Sequence, residues 1–368
     1  MKNTSSVVFL LLLFLATSGI ATARSQSNPI EGAQQFANLG DFKLRSGAVI
    51  HEFKLGYRTL GRLAADKSNA VLWPSWLGGK SEDLLQFIGP GKVVDTKTYF
   101  VILADAIGNG VSTSPSNSKT QPWMKFPKFT ILDMVEAEHR LAIDVLHLAH
   151  LHAVMGVSMG GMQTFAWTVV YPDFLDLAIP IAGSPRSTSF DKLLWTAQID
   201  AIELDPAWNH GHPTKPLTRG LALSEEIGSM NLTSPAYRVA QTPAKDFDTF
   251  LAGLKRNASG DGGIASNLIR QRQAIISFDL PAEFGLTLDQ AVKSVRAKLL
   301  IIVSPQDHMV NPIPAVQFAA AAGSPVVNLS SSCGHLSTSC LSLGPTVARF
   351  LADASSVHSE TLQDPVNH

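Results

Sequence analysis

Residues 153–170 read Ala-Val-Met-Gly-Val-Ser-Met-Gly-Gly-Met-Gln-Thr-Phe-Ala-Trp-Thr-Val-Val. A short apolar run, Leu151 to Met155, meets Gly156-Val157-Ser158-Met159-Gly160, and an amphipathic segment follows at once. The pattern predicts a strand, a one-residue turn and a helix, with G-x-S-x-G at the junction. The glycines have a steric cause. A serine on so sharp a turn sits in strained backbone, so the residues two away must be small. The turn lifts the Ser158 hydroxyl clear of the sheet and sets it over the helix N-terminus, where free amides and the helix dipole favour developing negative charge. Ser158 is the expected nucleophile. A plain tight turn is the alternative.

Working outward, Phe36–Leu44 and Val49–Leu60 alternate around Arg45-Ser46-Gly47 and predict an antiparallel pair at a sheet edge. Ala70–Trp76, Thr98–Ala104, Leu175–Ile181, Leu299–Val303 and a short last strand, Val326–Leu329, are apolar. Between them lie helical patterns at Ile131–His150 and Gly344–Ala352. Strands alternating with helices predict an α/β fold: a mostly parallel central sheet with helices on both faces. The interval 186–296 breaks that rhythm, with helical patterns such as Phe190–Leu204 and Ile264–Phe278 and no core strand. It reads as a helical lid inserted into a core of 24–185 and 297–368, over the C-terminal edge of the sheet.

A serine hydroxyl needs a base, and the base needs a group to orient it. In such a fold the expected order is Ser, then Asp or Glu, then His. Asp307 follows Leu299–Val303 and His335 follows Val326–Leu329, so both fall where that order requires. The oxyanion hole needs two backbone amides: Met159, directly after the nucleophile, and Leu77, in the loop after Ala70–Trp76. His147, His150 and His152 cluster near a helix end, but no acidic ligand is expected close by, so no metal is expected. Gly108-Asn109-Gly110 lacks the strand-to-helix context of a nucleotide fingerprint, and no cofactor is expected.

The chain has 368 residues, 45% hydrophobic and 16% charged, enough for a large buried core. A formal net charge of −1 gives no electrostatic case for nucleic acid or an anionic membrane as partner. Lys2, the apolar run Val7 to Ala16 and Ala21-Thr22-Ala23 predict a signal peptide over 1–23, too short to span a bilayer, and hence a periplasmic or secreted protein with no membrane attachment after cleavage. The two cysteines, Cys333 and Cys340, flank His335. An oxidising compartment favours pairing them, while six intervening residues permit the geometry without forcing it; two buried thiols are the alternative.

The run Gly156-Val157-Ser158-Met159-Gly160-Gly161-Met162-Gln163, with Trp167 and Tyr171-Pro172, resembles the homoserine O-acetyltransferase family of the α/β-hydrolase superfamily. Leu55-Gly56-Tyr57, Gly108-Asn109-Gly110 with Ser114-Pro115-Ser116-Asn117, Phe126-Pro127 before Asp133-Met134-Val135, and Gly334-His335 support it. The resemblance covers most of residues 40–350. It implies a triad on Ser158, Asp307 and His335, a ping-pong acyl-enzyme, a helical lid and a dimer through lid helices. Two positions depart from the family pattern. Leu336 stands where an aspartate suited to the substrate ammonium follows the catalytic histidine, and Glu225, in Leu221-Ala222-Leu223-Ser224-Glu225, stands where an arginine suits its carboxylate. The expectation is therefore an exported serine hydrolase acting on a small-molecule ester or related acyl bond. Acyl transfer to an alcohol is the runner-up, and a non-catalytic binding protein on the same fold the reading from another class.

Overall fold

Alternation along the apolar strands decides which side chains face which layer. In β3 (Ala70–Pro74), Val71 and Trp73 point to one face of the sheet and Leu72 to the other, all three buried. The same division runs through β4 (Phe100–Ala104), β5 (Leu151–Val157) and β6 (Leu175–Ile181). Burial on both faces matches their near-continuous apolar composition. The computed structural model describes residues 31–363 apart from Thr214 and Ser259; the expected signal peptide, 1–23, lies outside the described residues.

Two antiparallel strands, β1 (Gln35–Lys43) and β2 (Val49–Leu60), form one edge of the sheet as predicted. The order then runs β2, β4, β3, β5, β6, with every pair after β2–β4 parallel. Beyond β6 come β7 (Lys298–Leu299) and β8 (Ile301–Val303), then β9 (Val326–Ser330) and β10 (Glu360–Gln363). The predicted strand Leu299–Val303 is thus two short pieces broken at Leu300. Val326–Leu329 is also not the last strand. The polar segment Glu360–Gln363 pairs in parallel with β9, and an edge position lets it do so without an apolar pattern.

Helix α1 (Ile131–Arg140) starts on a capping box in which Thr130 and Asp133 exchange hydrogen bonds. It gives way to a π turn at Leu141–Val145, so the predicted helix to His150 stops short. Helix α2 (Met159–Val170) is buried from Met159 through Thr168 rather than amphipathic, because it lies between the sheet and α1.

Among the described residues seven α-helices stand between β6 and β7: α3 (Ser189–Glu203), α4 (Arg219–Leu232), α5 (Pro235–Gln241), α6 (Phe247–Asn257), α7 (Gly262–Ser277), α8 (Leu280–Glu283) and α9 (Leu288–Ser294). Ile199, Ile202, Trp208, Leu221, Ala265 and Ile269 give this insert an apolar cluster of its own. After β8, α10 (Ile313–Ala322) packs on the sheet, α11 (Ser337–Cys340) follows His335, and α12 (Gly344–Ala352) covers the opposite face with Val347, Phe350 and Leu351.

Candidate active site

Ser158 sits between β5 and α2 with φ 60° and ψ −120°, a conformation a side-chain-bearing residue adopts only when its surroundings enforce it. The surroundings do. Its amide donates to Ile181 O on β6 at 2.9 Å, and its carbonyl accepts from Met162 N at 3.0 Å. A Cβ on Gly156 would stand 2.4 Å from the carbonyl of Gly160, and one on Gly160 would stand 2.6 Å from Pro74 O on β3. The two glycines of G-x-S-x-G therefore let strand, turn and helix close on one another.

Asp307 and His335 reach the same point from the ends of β8 and β9. His335 Nδ1 is 2.6 Å from Asp307 Oδ2, and its Nε2 is 2.9 Å from Ser158 Oγ. A carboxylate can only accept, so His335 donates from Nδ1 and leaves Nε2 to receive the serine hydroxyl proton. The second oxygen, Asp307 Oδ1, accepts from the amides of Met309 at 2.8 Å and Val310 at 2.9 Å, which fixes the carboxylate. The Asp307 side chain is 1% exposed and that of His335 10%. Ser337 Oγ donates to Gly334 O at 2.7 Å and lies 3.1 Å from Ser304 Oγ, tying the histidine loop to the end of β8.

The two amides expected to hold an oxyanion, those of Met159 and Leu77, donate to no described residue. Met159 N opens α2, where the first amides have no intrahelical acceptor. The strand before Leu77 ends at Pro74, two residues early, and side chains hold the loop beyond it. Gln163 Nε2 on α2 donates to Ser75 O at 3.2 Å, and Ser75 Oγ accepts from Ala106 N at 3.0 Å. From α7, Gln271 Oε1 accepts from Gly78 N at 2.8 Å.

Above Ser158 opens a cavity of about 390 Å³ roofed by the insert. Its apolar lining includes Trp76, Leu77, Phe87, Leu232, Met309 and Leu336. Gln198, Glu225 and Arg272 add polar groups. Both departures from the resembled family, Leu336 and Glu225, thus face the space where a substrate would lie. Arg272 and Gln271 had no local sequence signal beyond polar residues within a helical pattern, and they were not among the candidates. Cys333 and Cys340 are joined by a disulfide bond that encloses His335 in its loop.

The histidine cluster needs a correction. His150 Nε2 lies 2.8 Å from Asp176 Oδ1, and His152 Nδ1 is 4.0 Å from Asp176 Oδ2, so an acid does lie close by. It is distant in sequence but adjacent in space, since β5 and β6 run side by side from Leu151 and Leu175. Among the described residues no group of three His, Cys, Asp or Glu could hold a metal ion.

Residues 76–214 match the model of the alpha/beta hydrolase fold family. An ethyl acetate hydrolase from Pseudomonas veronii is 34% identical over 285 residues, 75% of this chain and 81% of that protein. A protein named probable esterase from Corynebacterium glutamicum is 38% identical over 185 residues, 50% of this chain and 53% of that protein. A homoserine O-acetyltransferase from Methanococcoides burtonii is 32% identical over 311 residues, 74% of this chain and 62% of that protein. The chain thus spans only about half to two thirds of the last two relatives. The solved structure of an acetylester hydrolase from Corynebacterium glutamicum superposes with a TM-score of 0.79 at 27% identity, covering 87% of this chain and 96% of that one. The chain belongs to the alpha/beta hydrolase family, in the group that holds esterases and homoserine O-acetyltransferases.

Proposed function

We propose that this protein is an exported esterase that works through an acyl-enzyme on Ser158. The hydrogen-bonded chain Ser158–His335–Asp307 carries the reading. As Ser158 Oγ bonds to the ester carbonyl carbon, its proton passes to His335 Nε2 and the carbonyl oxygen becomes an anion. The amides of Met159 and Leu77 stabilise that anion, while Asp307 holds the imidazole in its tautomer and balances its charge. Collapse expels the alcohol, which takes the proton from His335. Water then attacks the acyl-serine with the same base and releases the acid.

Hydrolysis is preferred over transfer because of the two residues lining the cavity. Leu336 offers nothing to an ammonium group, and Glu225 stands where the resemblance calls for an arginine, so the paired grip on an amino acid is missing. The named esterase relatives support the same outcome. The relatedness to homoserine O-acetyltransferases favours acyl transfer as the second reading. The leader over 1–23 supports export, and a disulfide is at home outside the cytoplasm. Exposed Met230, Val239 and Phe247 on the insert suit pairing of two copies through these helices, which light scattering would report as twice the chain mass.

Two measurements test the reading. A fluorophosphonate should label the wild-type chain and not Ser158→Ala; equal labelling of both removes Ser158 as nucleophile. Release of p-nitrophenol from p-nitrophenyl acetate should be little changed by homoserine. A large acceleration with O-acetylhomoserine formed would establish the transferase instead.

A further inference from the structure

One wall of the cavity holds a charge for which the chemistry at Ser158 has no use. Arg272, on α7, is 4% exposed, lines the cavity together with Ser158 and makes no hydrogen bond to any described residue. Its Nε and Nη1 are both buried without a partner among the described residues. Trp195 Nε1, from α3, is a third buried donor without a partner in the same lining, and Gln198, one turn on, donates from Nε2 to Ser224 O at 2.8 Å while its Oε1 stays unpaired. Leaving donors of a cation buried and unpaired is expensive, so groups kept this way in a cleft point to a ligand that completes them.

The other charges facing Arg272 are few. Of the described side chains lining the cavity, only Arg272, Glu225 and His335 can carry charge. Glu225 acts on Arg272 electrostatically but forms no ion pair with it, and it is exposed, so solvent screens it. Burial lowers the guanidinium to about 10, which leaves it cationic at neutral pH.

We propose that Arg272, together with Trp195 in the same cavity lining, forms a carboxylate-binding subsite, and that the preferred substrates are esters bearing a free carboxylate, such as half-esters of short dicarboxylic acids. This rests on the esterase reading and narrows its substrate class. A neutral carbonyl or hydroxyl would satisfy one donor and leave the cation unmatched. A carboxylate offers two oxygens and a full charge to a planar donor fork. The guanidinium comes from α7, not from the α4 position occupied by Glu225, so it approaches the cavity from a different wall.

The test compares monoethyl glutarate with its carboxamide counterpart, ethyl 5-amino-5-oxopentanoate, on the full chain. The wild type should favour the half-ester in kcat/KM by about tenfold or more, the scale of one charge-assisted contact. Arg272→Met should bring the ratio to about one, Arg272→Lys should keep part of it, and Glu225→Gln should widen it. A wild-type ratio of one or less, or an unchanged ratio in Arg272→Met, overturns the proposal. Binding of free glutarate to Ser158→Ala, followed by tryptophan fluorescence, reads the subsite without turnover. Its loss in Ser158→Ala/Arg272→Met, with the melting temperature within a few degrees of the parent, supports the subsite, and equal or absent binding in the parent and the variant overturns it. If neither ester is hydrolysed yet glutarate binds through Arg272, the esterase reading fails while the subsite stands.

Discussion

Gln271 Oε1 accepts a hydrogen bond from the backbone amide of Gly78 at 2.8 Å, across 193 positions of chain. The Gln271 side-chain nitrogen, Nε2, donates to Ile107 O at 3.0 Å. One buried side chain on the insert thereby fixes the loop whose preceding residue, Leu77, carries one of the two amides proposed for the oxyanion hole. Replacing Gln271 by alanine should free that loop without touching the substrate. The expected result is a loss of about ten- to a hundredfold in kcat with KM changed only a few-fold, since a misplaced donor is felt in the transition state. Steady-state kinetics on p-nitrophenyl acetate checks it; a change confined to KM would contradict the assignment.

Ser158→Ala, His335→Gln and Asp307→Asn should each lower kcat by about 10⁴-fold or more, and combining them should cost little beyond the worst single change. Independent, multiplying losses would mean that the three groups do not act as a unit. Circular dichroism of each variant shows whether the fold is intact.

Gly160→Ala should impair the site through the backbone alone. The added methyl group meets Pro74 O at 2.6 Å, and neither β3 nor α2 can retreat without moving Ser158. Fluorophosphonate labelling should slow at least tenfold and the melting temperature should fall, consistent with the cost of overpacking a rigid junction. Labelling at the wild-type rate would show that the junction has slack.

Glu138 on α1 is fully buried, and desolvation pushes its carboxyl up to about 8, against the counter-effect of the Trp167 Nε1–H bond at 2.7 Å. The folded state therefore holds a proton that the unfolded chain releases near pH 4.5. Stability from this group is complete below that pH and is lost as pH rises through about 8, at up to roughly 1.4 kcal/mol per pH unit. Glu138→Gln should remove the decline, so the variant gains on the wild type in urea midpoint between pH 6 and pH 9. Parallel profiles would mean that the carboxyl is ionised in the folded protein.

Reducing the Cys333–Cys340 bond, or replacing both residues by serine, should lower stability by on the order of 2 kcal/mol, the scale for closing so short a loop. Because His335 lies inside the loop, kcat should fall with it. A melting scan and an activity assay with and without reductant measure both effects.

Much of this was legible in the sequence because it is local or follows chain order. The strand–turn–helix at Gly156–Gly160 is written in consecutive residues, and Asp307 and His335 follow apolar runs that could hardly be other than strands. The interval 186–296 announced itself as helical by lacking such runs. What stayed hidden depends on approach through space. Nothing near Arg272 tells that its guanidinium is buried in the lining of the cavity that holds Ser158, and nothing near Gln271 tells that it reaches Gly78. The pairing of His150 with Asp176 needs two strands to be neighbours, and β10 takes its place from an edge that tolerates polar residues.

Gly334, at φ 65°, packs so closely on the α4–α5 junction that a methyl group there would lie 2.9 Å from Ser234 N, and that amide bonds to Ser332 O at 3.3 Å. The roof of the cavity and the proton-carrying ring are therefore fastened at adjacent residues. Any change that loosens this seam would slacken the roof and the imidazole's grip on the hydroxyl together, so shelter and reactivity stand or fall at one spot.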